Sequence, residues 1–426
     1  MKTALSIALA VLALSSSVYA DDDPMLAPIA PAADVISSWN DAIVRIRHAP
    51  DLLASAADVD RAAAQRRIAL AAVLPTLFAV GEYQHAFRNQ GIPPNTWSIA
   101  GVATWTLDAR AIHEVGTADA EIDLSRLSLA EQQRELVNAA VDAMLATLTA
   151  ERISELDRSS LRAALDRHEL TQTRLANAHG IELDVDRAQQ DVESARAQLV
   201  QADEALRQTR EALGVLVGSS IPIAAASGLE IEGFEKSIAT TCRPTADIER
   251  RADVAEARQR VDIAERAITD AELRFAPTLG VSSQTTDANA VTFGPTSNWI
   301  VSATVTVPLY DGGVRDGAIR QARAERVQAQ LALTQTRVAA IVDAARADRA
   351  VAVAVVTRDV AKRERDLAAQ VDARVREGYA AGLGTSLDLV TSAQALRQAE
   401  IGLATAEFQV ARARAGAVLA HAECVL

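Results

Sequence analysis

Residues 75–107 read PTLFAVGEYQHAFRNQGIPPNTWSIAGVATWTL, and residues 277–309 read PTLGVSSQTTDANAVTFGPTSNWIVSATVTVPL. Laid over one another at an offset of 202, Pro75-Thr76-Leu77 falls on Pro277-Thr278-Leu279, Trp97 on Trp299, Thr104 on Thr306 and Leu107 on Leu309. Further along, Gly180 and Leu183-Asp184 recur as Gly384 and Leu387-Asp388, at an offset of 204. Landmarks kept in one order, with a slip of two residues, identify two copies of one structural unit of roughly 200 residues.

Each copy carries the same series of signals. A helical stretch of about 24 residues (near 51–74, and near 248–276) ends at a proline. Two strand-like segments follow, 76–87 with 96–107 and 278–286 with 298–309, each pair split by a turn rich in Gly, Pro and Asn (89–95 and 287–297). The strands alternate: Trp299, Val301, Ala303, Val305, Val307 and Leu309 share one face, and Ser302, Thr304 and Thr306 the other. Likewise Trp97, Ile99, Ala103, Trp105 and Leu107 oppose Ser98, Thr104 and Thr106. Such alternation suits a lipid-facing barrel with a wet lumen. It equally suits a soluble hairpin packed on helices, and the strands alone leave both readings open. Four strands cannot close a barrel, and lipid tolerates no open edge, so a membrane sheet here requires several copies of the chain.

After the strands, each copy holds a helical run of about 65 residues, broken near Ala178-His179-Gly180 and near Gly382-Leu383-Gly384, and then a helix of roughly 35. At 1.5 Å per residue the long run spans about 100 Å, too long for an ordinary globular core. The composition agrees, with aromatic residues at 3% and alanine-rich seams such as Ala339-Ala340 and Ala344-Ala345.

Residues 1–20 have the pattern of a secretory signal peptide: Lys2, an apolar run from Ala4 to Leu14, and Val18-Tyr19-Ala20 ahead of Asp21. No Cys stands just after that point, so an unlipidated mature chain is expected. No later run of about 18 apolar residues could span a bilayer as a helix. The net charge of −13 argues against nucleic acid as a partner. Cys242 and Cys424 permit a disulfide in an oxidising compartment and suggest no metal site. Six histidines without ligand spacing, no phosphate-cradling loop and no nucleophile elbow point away from an enzyme, and no cofactor is expected.

The stretch from Trp299 to Ala322, with Val307-Pro308-Leu309-Tyr310-Asp311-Gly312-Gly313 and Ile319-Arg320-Gln321-Ala322, resembles the signature of TolC-like outer-membrane efflux proteins. Arg251-Ala252-Asp253-Val254 is similar to that family's Arg-Pro-Asp-Val opening of the second repeat, with Ala where Pro is usual. Tyr379-Ala380-Ala381-Gly382 and Ser386-Leu387-Asp388-Leu389 resemble its second helix-hairpin tip. The resemblance implies a mainly α protein with a membrane β-barrel: a long antiparallel helical tunnel plus four strands per protomer, the homotrimer forming a 12-stranded barrel in outer-membrane lipid. It implies the exit duct of a tripartite efflux or type I secretion system, docking a periplasmic adaptor (membrane fusion) protein and an inner-membrane pump of the RND, ABC or MFS class.

On that resemblance Asp388 belongs to the periplasmic entrance, with Asp184 as its counterpart in the first repeat. As an alternative, Asp388 caps the helix that follows Gly384. The tips Asn177, Ala178, His179 and Gly180, and Ala381, Gly382 and Leu383, match the places where the family meets its adaptor, although turn chemistry also accounts for the glycines. Thr391 and Gly384 depart from residues that some members use at the mouth. Cys242 and Cys424 fall in regions that form the family's equatorial belt, and they are expected to pair. The expected organisation is a signal peptide (1–20), a first repeat (21–228), an equatorial linker (229–245) and a second repeat (246–426). The rival reading is a periplasmic coiled-coil adaptor or scaffold without a barrel, which the paired hairpins oppose.

Overall fold

The computed structural model describes residues 23–87, 95–226, 234–245, 247–289 and 296–424. The expected signal peptide, most of both hairpin turns and residues 229–233 of the linker lie outside them. In chain order the elements are β1 (Asp34–Ile36), α1 (Trp39–Ile46), α2 (Pro50–Ala72), β2 (Thr76–His85), β3 (Asn95–Leu107), α3 (Ala109–Ala176), α4 (Glu182–Leu216) and β4 (Ile223–Ala225). They continue as α5 (Phe234–Thr241), β5 (Cys242–Pro244), α6 (Ala252–Leu273), β6 (Thr278–Ala288), β7 (Ser297–Thr306), α7 (Val314–Ala380), α8 (Ser386–Ala420) and β8 (Ala422–Cys424). The two long helices have 68 and 67 residues, and their followers α4 and α8 have 35 each. The duplication is thus a duplication of structure.

The chain divides into two compact units that cut across the repeats. One comprises residues 43–139, 233–349 and 414–426 and contains a four-stranded antiparallel sheet of order β2-β3-β6-β7. Each strand joins a helix, and the helices keep the same order. Arg66 of α2 pairs with Asp119 of α3. Arg110 of α3 pairs with Asp270 of α6 at 2.9 Å. Val254 and Val261 of α6 then pack with Leu333 and Ala340 of α7 in a buried cluster. Among the described residues, the sheet ends on β2 and β7, each paired on one side only.

The ladder register puts Leu77, Tyr83, Trp97, Ile99, Trp105, Leu279, Val281, Trp299, Val301 and Val305 on one face. Thr76, Glu82, Ser98, Thr104, Ser282, Gln284, Ser302 and Thr304 lie on the other, joined there by Phe78, Val80, Val102 and Ile300. The apolar face is uncovered: Trp299 is 75% exposed and Val305 66%. That is the opposite of a hairpin packed on its own helices. One expectation fails at the fourth strand, which ends at Thr306 rather than 309. Pro308 has no N–H to give a ladder, so Val307 and Leu309 leave the strand face. Beyond it Gly312 and Gly313 take positive φ (73° and 92°), and Asp311 accepts hydrogen bonds from the N–H groups of Gly313 and Arg315, starting α7. The helix expected near 248–276 is likewise divided, since Arg251 is extended between a short 3-10 turn and α6.

The same unit holds β5 and β8, antiparallel, with Cys242 opposite Cys424 and a disulfide between them. Nearby, buried Arg251 grips Asp253 through two nitrogens (2.9 and 2.7 Å) and donates to Ala420 O, tying the start of α6 to the end of α8.

The second unit comprises residues 1–42, 140–232 and 350–413. Leu161 and Ala164 of α3 pack against Val192, Ala195 and Leu199 of α4, with Leu26 from the N-terminal segment inserted among them. Asp23 pairs with Arg196 at 2.7 Å, and β1 lies parallel to β4, so the segment before α1 is fastened to α4 and its extension. Arg397 of α8 reaches the buried Asp157 of α3, and Arg412 reaches Asp142 with two nitrogens.

Candidate functional site

The two helix-hairpin turns lie in this second unit, and both are built in the same way. α3 stops where Ala178 N–H bonds Leu175 O and His179 N–H bonds Arg174 O at 2.9 Å. α7 stops where Gly382 N–H bonds Tyr379 O and Leu383 N–H bonds Gly378 O, also at 2.9 Å. This is the Schellman ending, which needs one residue in the left-handed region. Gly382 supplies it in the second turn (φ 79°), and Ala178 in the first (φ 56°). Asn177, Ala178, His179, Ala381, Gly382 and Leu383 are exposed; Gly180 is half-buried, and a Cβ there would crowd the Leu175 backbone nitrogen at 3.1 Å.

The two acids lie at the starts of the following helices and behave differently. Asp388 closes a capping box. Its carboxylate accepts from the Thr385 hydroxyl (2.7 Å) and Thr385 N–H (3.2 Å), while Asp388 N–H donates to Thr385 Oγ1. The Thr385 hydroxyl, then its N–H, hold the Asp388 carboxyl below its ordinary range. α4 begins instead at Ile181, whose side chain caps nothing. Asp184, three residues on, is released from capping and accepts a hydrogen bond from Ser386 Oγ in the other hairpin. The structure thus brings both acids to the consecutive residues Thr385 and Ser386.

Sequence reading missed the clamp behind them. Arg174, in the last turn of α3, donates to Tyr379 O and to His179 O, and its guanidinium lies 4.5 Å over the Tyr379 ring. Tyr379 is buried; burial, and then the nearby Asp184 charge, push its phenol pKa up against the opposing effect of Arg174. The tips also expose four large aliphatic side chains, Ile181, Leu183, Leu383 and Leu387. Short polar turns hide such positions, because only the fold shows that all four lie at one end. Among the described residues no cluster of His, Cys, Asp or Glu could hold a metal ion, and no helix is long and apolar enough to cross a membrane.

Comparison with known proteins agrees with this architecture. The family model described as outer membrane efflux protein matches residues 45–219 and 246–419, one match per repeat. The chain is 26% identical over 286 residues to the probable efflux pump outer membrane protein TtgC of Pseudomonas putida, a stretch covering 62% of this chain and 57% of that relative's length. It is 23% identical to nodulation protein T of Rhizobium leguminosarum bv. trifolii, over 82% of this chain and 77% of the relative. Among solved structures, the CmeC outer membrane channel of Campylobacter jejuni superposes with a TM-score of 0.77 at 14% identity, covering 98% of this chain and 94% of that one.

Proposed function

The chain belongs to the outer membrane efflux protein family, and from that membership we propose that it is the exit duct of a tripartite efflux or type I secretion system. It is a passive conduit in the outer membrane with its helices in the periplasm, and it catalyses no reaction. The observation that carries this reading is the sheet: one apolar face uncovered and both edge strands, β2 and β7, open. Three copies supply twelve strands, enough for a closed barrel around a channel, and closure removes the edges that lipid would not tolerate. A soluble adaptor or scaffold has no use for such a face.

The tips around Ala178 and Gly382 receive a periplasmic adaptor that the inner-membrane pump brings with it. Small turn residues let a partner helix approach, and exposed Ile181, Leu183, Leu383 and Leu387 offer it apolar contact. Asp184 and Asp388 recur around a threefold axis at the entrance, where carboxylates favour cations over anions. The linker and the C-terminus, joined by the Cys242–Cys424 disulfide, form the equatorial belt.

Fractionation tests the reading. The chain is expected in the outer-membrane fraction, to require detergent for extraction, and to migrate differently on gels before and after boiling. Recovery as a soluble protein without detergent would overturn it.

A further inference from the structure

The hydrophilic face of the sheet carries four large apolar side chains that the fold does not require. Phe78, Val80, Val102 and Ile300 point to the side of Thr76, Thr104 and Ser302, away from the apolar face. The duplication supplies the control. At the offset of 202 their counterparts in the other repeat are Gly280, Ser282, Thr304 and Ser98. Equivalent places in one sheet are thus filled by glycine or a hydroxyl in one repeat and by an apolar side chain in the other. Phe78, Val80 and Ile300 are 48%, 47% and 56% exposed, so about half of each lies uncovered.

The ladder gathers them into a band. Phe78 stands opposite Val102, Val102 opposite Gln284 and Gln284 opposite Ile300, a single row across all four strands. Val80 lies beside that row, opposite Ala100. The row on one side of the band is all hydroxyl: Thr76 and Thr104 share a hydrogen bond of 2.7 Å, and so do Ser282 and Ser302. On its other side Glu82 stands opposite Ser98. Among the described strand residues, Glu82 is the one acidic or basic residue on this face. In a closed barrel the face lines a lumen that is otherwise polar. Strand tilt makes each copy's band oblique, so the bands coat the wall without closing the channel.

We infer that the barrel wall itself takes part in selecting cargo, the band holding the apolar body of an organic cation while Glu82 attracts its charge. This deepens the duct proposed above and rests on it. An apolar body gains by covering Phe78 and its aliphatic neighbours, and a cation gains again over the Phe78 ring. A carboxylate two residues from Val80 favours positive over negative charge. A small hydrated ion gains nothing from the band. Contact along one wall is weak, as passage requires, since a conduit must release what it holds.

Current block tests this on the full-length wild-type channel in planar lipid bilayers with dilute KCl. Tetraphenylphosphonium in both compartments should reduce the current at concentrations where tetramethylammonium and naphthalenesulfonate do not. Phe78→Ser, Val80→Ser, Val102→Thr and Ile300→Ser together give the band a chemistry that the other repeat already tolerates. They should weaken the block about tenfold, as expected for the loss of roughly 55 Å² of apolar contact. Ile300→Ser alone should weaken it in part, which keeps the test readable if the fourfold variant does not assemble. Glu82→Gln should also weaken the phosphonium block, by less than the four changes do. No phosphonium block, one matched by tetramethylammonium, or one unchanged in these variants would overturn the inference and leave the duct standing. A wild-type chain that opens no channel in bilayers would overturn the duct reading and the inference together.

Discussion

The two hairpin tips descend from one duplicated sequence, and they have divided their labour. Leu183-Asp184 and Leu387-Asp388 occupy equivalent places, yet Asp388 is bound within its own turn and Asp184 reaches across to the other hairpin. The difference traces to one position. Thr385 provides a hydroxyl at the start of α8; its counterpart Ile181 provides none at the start of α4. A carboxylate relieved of capping becomes available for a contact between hairpins. The left-handed position diverges in the same sense, since the second tip has Gly382 and the first holds Ala178 under strain. The second tip therefore caps its own helix start and the first does not, and each leans on the other through Asp184 and Arg174.

Removing that dependence should have the largest effect. Arg174→Ala deletes a charged hydrogen bond to the end of α7 and the stacking on Tyr379, a loss of about 2 kcal/mol, or roughly thirtyfold faster local exchange. Hydrogen exchange read by mass spectrometry should show both tips loosening together; loosening of the first alone would mean that the clamp does not couple them. Arg174→Lys should recover only part, because an ammonium cannot stack as a guanidinium does. Next in size is the cap. Thr385→Ala should cost the first turn of α8 about 1 kcal/mol and leave α4 as it was. Ile181→Thr should give the first tip the same box, since Ile181 already has extended backbone (φ −122°, ψ 155°). It should steady α4 by a similar amount and draw Asp184 away from Ser386. Of the same order, Gly382→Ala should cost about 1 kcal/mol, and Ala178→Gly should return that much or less because glycine gives up more freedom on folding.

Local signals in the sequence carried most of the fold. The breaks at 178–180 and 382–384, the lengths of the four main helices and the four strands all follow from periodicity and turn residues. Pieces held by distant partners did not show. β1 and β4 have three residues each and pair across some 190 positions, too short to alternate and too far apart to signal one another. Arg174 and Tyr379 are separated by 205 residues, and nothing near either marks the other as its partner. Asp184 and Asp388 were legible as equivalents; that they do different things depended on Ile181 against Thr385, a difference that matters only once both are known to start helices. The strand face shows the same limit, because alternation was plain in the sequence and only the fold revealed the apolar side as uncovered.

The smallest predicted effect is the response of Asp388 to pH. Asp388 titrates below the ordinary carboxylate range because the Thr385 hydroxyl and N–H favour its charged form. A carboxyl whose pKa is lower in the folded state adds stability at neutral pH, and this is lost as pH falls through the folded value. Protection of the first turn of α8, corrected for intrinsic exchange, should therefore hold down to the ordinary carboxylate range and decline below it. Asp388→Asn should flatten that decline, and Thr385→Ala should move its midpoint upward by removing the hydroxyl that lowers the pKa. Thr385 and Asp388 are exposed, so the step will be small, and the comparison with Asp388→Asn makes it readable. If Asp388→Asn leaves the decline at the start of α8 unchanged, Asp388 is not the group that steadies that turn, and the division of labour between the two tips is wrong.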